Sequence, residues 1–146
     1  MKTYTIGFTQ KNAQRFFTLI RRSNVAKIID VRLNNVSQLA GFAKRDDLKY
    51  FLSELCGTDY IHVKELAPTK DILDAYKKKV ITWRAYEDKF FDLMSRRNIE
   101  RAIDKSLLEN GCLLCSEHEP HHCHRRLVVE YLNRHWETEI EVVHLA

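Results

Sequence analysis

The chain is poor in the residues that interrupt secondary structure, with only four glycines and two prolines among its 146 residues. That scarcity excludes collagen-like chains and argues against Pro/Gly-rich disordered ones, because both depend on these two residues. Internal repeats and low-complexity segments are lacking too, and no apolar run approaches the roughly 20 residues needed to cross a bilayer. We therefore expect a globular protein without membrane contact.

Disulfide scaffolds are also disfavoured, since the chain has only four cysteines. Residues 1–6 lead directly into a strand-like segment and lack the apolar core of a signal peptide. The expected location is thus the cytoplasm, where thiols stay reduced. We expect the cysteines to serve as thiols, ligands or catalysts rather than as a disulfide framework.

Length and composition favour an ordinary folded domain. A chain of 146 residues with 45% hydrophobic and 30% charged residues can bury roughly 68–70% of its unfolded surface. We expect one domain covering residues 1–146. No feature of the sequence sets its oligomeric state.

The net charge is +4, and the basic residues occur in small groups. These groups are Arg21-Arg22, Lys77-Lys78-Lys79, Arg96-Arg97 and Arg125-Arg126. Most such groups are solvated helix faces, but they are compatible with anionic small molecules and with nucleic acid as partners.

Hydrophobic periodicity predicts five principal strands separated by helices. We expect strands over residues 3–7, 25–31, 60–63, 112–115 and 139–143. We expect helices over residues 12–22, 46–56, 71–79, 97–109 and 120–136, and another that begins at residue 83. A long loop is expected over 32–44. Asp46 and Thr82 are candidate N-caps, and the aromatic stripe after Thr82 is expected in the core. This alternation predicts an α/β domain with a mainly parallel sheet and Rossmann-like layering.

Polar and reactive residues follow the predicted strands, at the sheet edge where α/β proteins bind ligands. They are Thr9, Asp30, Arg32, His62, Cys115, Glu117 and His144. Each has a structural alternative: Asp30 and Arg32 suit a structural ion pair, and His62 suits a half-buried histidine without a catalytic role. Their joint position nevertheless indicates a site.

The most reactive segment runs from Cys112 to Arg126. Strand geometry puts Cys112 and Cys115 on opposite sheet faces about 10 Å apart, too far for a shared zinc ion or a disulfide. Cys112 and Cys56 are therefore expected in the core. Cys115 is expected to be exposed where the strand meets its loop. Cys123 is expected in the first turn of the next helix, whose free amides lower the pKa of a thiol.

Two chemical interpretations fit this segment. In the first, Cys115 is a nucleophile or redox thiol, Cys123 resolves it, and Glu117 or His124 exchanges protons. In the second, a zinc or iron ion is bound by a subset of the available soft and borderline ligands. Those ligands are Cys115, Cys123, His118, His121, His122, His124 and Glu117.

Several ordered motifs resemble the DUF488 family of bacterial and archaeal proteins. They are Thr5-Ile6-Gly7, Asp30-Val31-Arg32, Tyr60-Ile61-His62 with Glu65-Leu66, Leu114-Cys115-Ser116-Glu117, and Cys123-His124-Arg125. The resemblance covers nearly the whole chain. It implies an α/β domain and a shared site of Asp30, Arg32, Cys115, Glu117, Cys123, His124 and Arg125. It implies no particular reaction or substrate.

The leading hypothesis is an enzyme that uses Cys115 in thiol chemistry on an anionic or nucleotide-like small molecule. Arg32 and Arg125 would bind the negative charge, and Asp30 would orient Arg32. A nucleic-acid-binding or processing protein is the alternative, in which the loop over 32–44 contacts phosphates. A zinc or iron sensor is the third.

Overall fold

Five parallel strands form one sheet in the order β3-β2-β4-β1-β5. The structure is a computed structural model, and it describes residues 1–36, 41–117 and 122–146. The strands are β1 Lys2–Gly7, β2 Lys27–Asp30, β3 Asp59–His62, β4 Gly111–Cys115 and β5 Glu141–Leu145. Every pairing is parallel, so the predicted α/β layout is confirmed.

Helices connect the strands and cover both faces of the sheet. They are α1 Ala13–Ser23, α2 Arg45–Phe51, α3 Lys70–Lys77, α4 Trp83–Arg96, α5 Ile99–Ala102, α6 Lys105–Leu108 and α7 His124–Trp136. Asn12 and Thr82 cap α1 and α4 by accepting the backbone N–H of Arg15 and Ala85. Each such cap stabilises its helix by about 1 kcal/mol. Within the described ranges, no helix has the length and apolar character that crossing a membrane requires.

Two apolar cores lie on opposite sides of the sheet. One contains buried residues of α1 and α2 together with Cys112 of β4. The other contains buried residues of α3 to α7 together with Cys115 of the same strand. The prediction that these two cysteines face opposite sides is therefore confirmed, as is the core position of Cys112.

The strand order leaves a crevice at the carboxyl end of β4. Its neighbours β1 and β2 are followed by helices on one face, whereas β4 is followed by α7 on the other face. Adjacent strands whose connections diverge in this way mark the topological switch point, where open α/β sheets bind ligands. Cys115 is the last residue of β4 and thus lies at that point.

Several predicted boundaries were wrong. The helix expected over 97–109 is two single turns, because Ile103 adopts an extended conformation and Asp104 caps the second turn through the N–H of Ser106. Asp46 lies in the first turn of α2, and Lys44 occupies its N-cap position. The helix expected from residue 120 begins at His124.

Two other expectations need smaller corrections. The last strand is Glu141–Leu145, so His144 lies within it instead of following it. The expected loop over 32–44 contains a short 3-10 turn at Gly41–Ala43. Residues 37–40 of that loop, and residues 118–121 with the predicted ligands His118 and His121, lie outside the described residues.

Candidate active site at the carboxyl end of the sheet

A cavity of about 250 Å³ opens at the switch point and contains most of the predicted reactive residues. We call it the Cys115 cavity. Its polar and reactive lining includes Arg32, Cys115, Glu117, His122, Cys123 and His124. Residues that are far apart in sequence therefore share one hollow, because the ends of β2 and β4 and the beginning of α7 meet there.

A buried ion pair forms one wall of the cavity. Asp30 is fully buried, and Arg32 is 4% exposed. The guanidinium of Arg32 donates from Nε and Nη2 to the two carboxylate oxygens of Asp30, each over 2.8 Å. The hydroxyl of Tyr60 donates to Oδ2 of Asp30 over 2.5 Å. Burial and this carboxylate raise the pKa of Tyr60, which keeps its hydroxyl protonated as a donor.

Asp30 thus holds the guanidinium of Arg32 in one orientation, because the two hydrogen bonds bind it at two points. The remaining nitrogen, Nη1, is buried and finds no hydrogen-bond acceptor among the described residues. The guanidinium also lies 5.5 Å from the ring centre of Phe8. A buried cationic donor that lacks an acceptor carries a desolvation cost, which an anion in the cavity would offset.

The two cysteines of the site are in contact. Cys115 and Cys123 are joined by a disulfide, and their Cα atoms lie 7.5 Å apart. Cys123 was predicted as a resolving partner of Cys115, but spacing alone did not establish their contact, because the intervening turn decides whether the two meet. The expectation that Cys115 is exposed was wrong: its side chain is 1% exposed because the start of α7 covers it. The other two cysteines, Cys56 and Cys112, are free.

Arg125 lies directly beside Cys115. Its side chain is fully buried, and Nη1 lies 3.1 Å from Sγ of Cys115. The same nitrogen donates a short hydrogen bond to the backbone carbonyl of Glu117. Gly7 makes this approach feasible, because a Cβ at that position would overlap the carbonyl of Glu117 and lie 2.8 Å from Nη1 of Arg125.

His124 is the first residue of α7 and is buried at 8% exposure. Its Nε2 donates to the carbonyl oxygen of Val31 over 2.6 Å, so Nδ1 is the ring atom with a free lone pair. Burial lowers the pKa of His124 to about 4, against a smaller opposing effect of the Val31 carbonyl. The imidazole is therefore neutral near pH 7 and can accept a proton or bind a metal.

Of the remaining predicted site residues, His62, Thr9 and His144 lie around the cavity, and Glu117 lines it. His62 donates from Nε2 to the carbonyl of Arg32 over 2.8 Å, which supports the turn after β2. Thr9 bonds through its backbone N–H to the carbonyl of Ser116 and joins β1 to β4. His144 pairs with Thr5 on the neighbouring strand. Only Glu117, whose side chain is exposed, lines the cavity itself.

Aromatic side chains form one wall of the Cys115 cavity, which the sequence did not predict. Trp83 stacks on Tyr86 with ring centres 4.8 Å apart and an interplanar angle of 15°, and Tyr76 lies against both. All three line the cavity. Tyr86 is buried as predicted, but Trp83 is only partly covered. Its position in the first turn of α4, beside the Thr82 cap, was the available signal.

The four basic groups do not form a continuous surface in the described residues. Arg125 is buried beside Cys115, and Arg126 pairs with Glu87 over 2.8 Å. Arg97 donates to the backbone carbonyls of Glu65 and Ala67. The Arg21-Arg22 group lies on α1, across the sheet from α3, α4 and α7. Of the nine basic residues in these groups, Arg97, Arg125 and Arg126 therefore make contacts within the fold.

Comparison with known proteins yields one family. The model of the family described as domain of unknown function DUF488 matches residues 12–132, which include both cysteines of the site, Asp30, Arg32 and most of α7. Neither a curated protein nor a solved structure matches the chain.

Proposed function

The chain belongs to the DUF488 family, and from the geometry of its own residues we propose a thiol-dependent enzyme acting on a small anionic molecule. Cys115 is the nucleophile and Cys123 is the resolving thiol. The observation that carries this proposal is the position of Cys115: its sulfur lies 3.1 Å from Nη1 of the buried Arg125 and contacts the sulfur of Cys123.

Arg125 stabilises the reactive form of Cys115. The nucleophile is the thiolate, and a neighbouring cation favours that form. Because Arg125 is fully buried, its charge is poorly screened by water and acts strongly over 3.1 Å. Since Arg125 is buried, it is not available to bind anions from solvent. Its charge acts on the sulfur of Cys115 instead.

The neutral imidazole of His124 has a free lone pair, and its low pKa makes it a weak base that passes a proton on rather than holding it. It lines the cavity with Cys115, and the Val31 carbonyl fixes its tautomer. A base with a free lone pair beside a thiol is the arrangement that nucleophilic thiol catalysis needs. Glu117, exposed at the cavity edge, is the second group placed to exchange protons with the substrate.

Arg32 supplies the binding charge. Its Nη1 is buried and lacks an acceptor among the described residues, while Asp30 holds the other side of the fork. A carboxylate or phosphate oxygen in the cavity would complete its hydrogen bonds. The stacked face of Trp83 lies in the same cavity, so an anion that also carries a planar ring fits both walls.

The contact between the two sulfurs favours a two-thiol redox reaction over simple acyl transfer. Cys115 attacks one sulfur of an anionic disulfide, forms a mixed disulfide and expels the other half as a thiolate. Cys123 then attacks Sγ of Cys115, forms the internal disulfide and expels the second half. Two electrons pass from the protein thiols to the substrate, and an external thiol reductant restores the dithiol.

The dianionic aromatic disulfide dithiobis(nitrobenzoate) tests this directly in a Cys56→Ser background. Stopped-flow absorbance should show rapid release of two nitrothiobenzoate ions per reduced chain. Cys123→Ser should release one and retain a mixed disulfide at Cys115, visible by mass spectrometry. Cys115→Ser should react at least about tenfold more slowly, since Cys112 is buried.

Charge recognition is tested with the neutral reagent dithiodipyridine. Arg32→Gln should slow the reaction of the anionic reagent and leave that of the neutral one nearly unchanged. Equal rates for Cys115→Ser and its parent chain would reject Cys115 as the nucleophile. An equal effect of Arg32→Gln on both reagents would reject anion binding at Arg32.

A further inference from the structure

Three potential metal ligands converge at the inner end of the Cys115 cavity. A ligand atom from each of Cys115, Cys123 and His124 lies within 4.8 Å of the others, and all three residues are buried. Cys115 ends β4, and the other two begin α7. These are rigid elements, so the three ligands are held close together by the fold rather than by a flexible loop.

The ring of His124 is oriented as a metal-binding imidazole usually is. Metal-bound histidines donate their second ring N–H to a carbonyl or carboxylate, which fixes the tautomer and the ring plane. Nε2 of His124 makes this bond to the carbonyl of Val31 over 2.6 Å. Nδ1 is therefore the ring atom with a lone pair for an ion.

The two cysteines can also be joined through an ion. Their Cα atoms lie 7.5 Å apart, whereas most disulfides span about 4.4–6.8 Å between Cα atoms. Two zinc–sulfur bonds of about 2.3 Å each separate the sulfurs more widely than a covalent bond does. The Nη1 donor of Arg125, 3.1 Å from Sγ of Cys115, would then support a bound thiolate, as outer-shell donors do.

We propose that the reduced protein binds one zinc ion, or a similarly soft divalent ion, through Cys115, Cys123 and His124. All three ligands line the cavity, so within the part of the chain that the structure describes the fourth coordination position is open to solvent or to a ligand. Two thiolates and one imidazole with an open position form a donor set of catalytic rather than structural zinc sites. Binding requires both cysteines as thiolates and releases any proton that either one still carries.

This site would exclude the disulfide, because the same two sulfurs take part in both. Oxidised protein therefore cannot hold the ion, and an ion bound at Cys115 blocks its attack on a disulfide. The inference does not depend on the proposed thiol enzyme: a metal can bind whether or not Cys115 is a competent nucleophile, and the two are measured separately.

Cobalt is the probe, with untagged, fully reduced protein titrated with Co²⁺ without oxygen. We expect saturation at one Co²⁺ per chain, a near-ultraviolet thiolate charge-transfer band and the intense visible bands of tetrahedral Co²⁺. Zn²⁺ should displace the cobalt. His124→Ala should weaken binding by about tenfold or more, and Cys115→Ser should remove one thiolate from the charge-transfer intensity.

The controls separate this site from other cysteines. Cys56→Ser and Cys112→Ser should leave the spectrum unchanged, since both residues are free and outside the cluster. Oxidised wild-type protein should give no thiolate band. This control uses the unsubstituted chain and therefore does not depend on whether a variant folds. Absence of a charge-transfer band in reduced wild-type protein, or a band unaffected by both Cys115→Ser and Cys123→Ser, would overturn the proposal.

Discussion

Nη1 of Arg125 lies 3.1 Å from Sγ of Cys115, and the whole Arg125 side chain is buried. In the reduced protein this contact connects stability with reactivity, because a buried guanidinium needs negative charge nearby and the thiolate of Cys115 supplies it.

Arg125→Gln should reduce both stability and thiol reactivity. The substitution removes the hydrogen bonds to Sγ of Cys115 and to the carbonyl of Glu117, so we expect unfolding to become easier by about 2–4 kcal/mol. The rate of Cys115 alkylation should fall about tenfold, equivalent to one pKa unit. Urea unfolding and timed alkylation measure the two effects. Arg96→Gln, at an exposed position, should change neither.

Gly7→Ala should destabilise the protein by about 1–3 kcal/mol or more, since overpacking moves backbone and side chains. The new Cβ would collide with the carbonyl of Glu117 and displace Nη1 of Arg125. Gly41→Ala is the matched control, because no atom of the described residues lies within 4 Å of a Cβ there. Equal denaturation midpoints for the two variants would contradict the close approach at Gly7.

Asp30→Asn should be far more costly than Asp46→Asn. The first leaves the buried guanidinium of Arg32 without its carboxylate, which typically costs about 3–5 kcal/mol. The second breaks an exposed pair with Arg45, worth about 0–1 kcal/mol. Chemical denaturation compares them at pH 7. Similar small losses for both would show that the Asp30–Arg32 pair is not structural.

Stability of the metal-free protein should fall as the pH drops from about 6.5 to 4. Burial lowers the pKa of His124 to about 4 in the folded chain, against about 6.5 when unfolded. The unfolded chain therefore binds the extra proton first, and acid favours unfolding across this window. The loss from this group is on the order of 3 kcal/mol and levels off below pH 4.

Urea midpoints of wild-type protein and His124→Gln, followed from pH 7 to pH 4, test this assignment. The variant has no titrating group at the position, so its curve should be flatter than that of the wild type. His135→Gln, at an exposed position of the same helix, should keep the wild-type slope. Parallel curves for wild type and His124→Gln would contradict the assignment.

The sheet was predictable because largely apolar segments such as 112–115 and 25–31 have the length and composition of buried strands, and the helices between them require crossovers. The break at Ile103 was not predictable, because the apolar periodicity of residues 99–108 continues through it. The only local sign of the break is Asp104, which caps the second turn. Local pattern does not register a turn that tertiary packing selects.

The site was predictable in residue types and only partly in geometry. Strand ends placed Asp30, Arg32 and Cys115 at one edge, since carboxyl ends of parallel strands lie together. The contact of Cys115 with Cys123, and the burial of Arg125 beneath it, depend on how α7 packs on β4. Helix packing of that kind leaves no signature in spacing along the chain.

Competitive alkylation of the reduced native protein decides whether Cys115 is the reactive thiol of this fold. The protein is first treated with a limiting amount of iodoacetamide and is then unfolded. The remaining thiols are labelled isotopically, and the peptides are quantified. Cys115 should be modified first, ahead of the partly covered Cys56. Preferential modification of Cys56, with Cys115 as inert as Cys112, would contradict this role of Cys115.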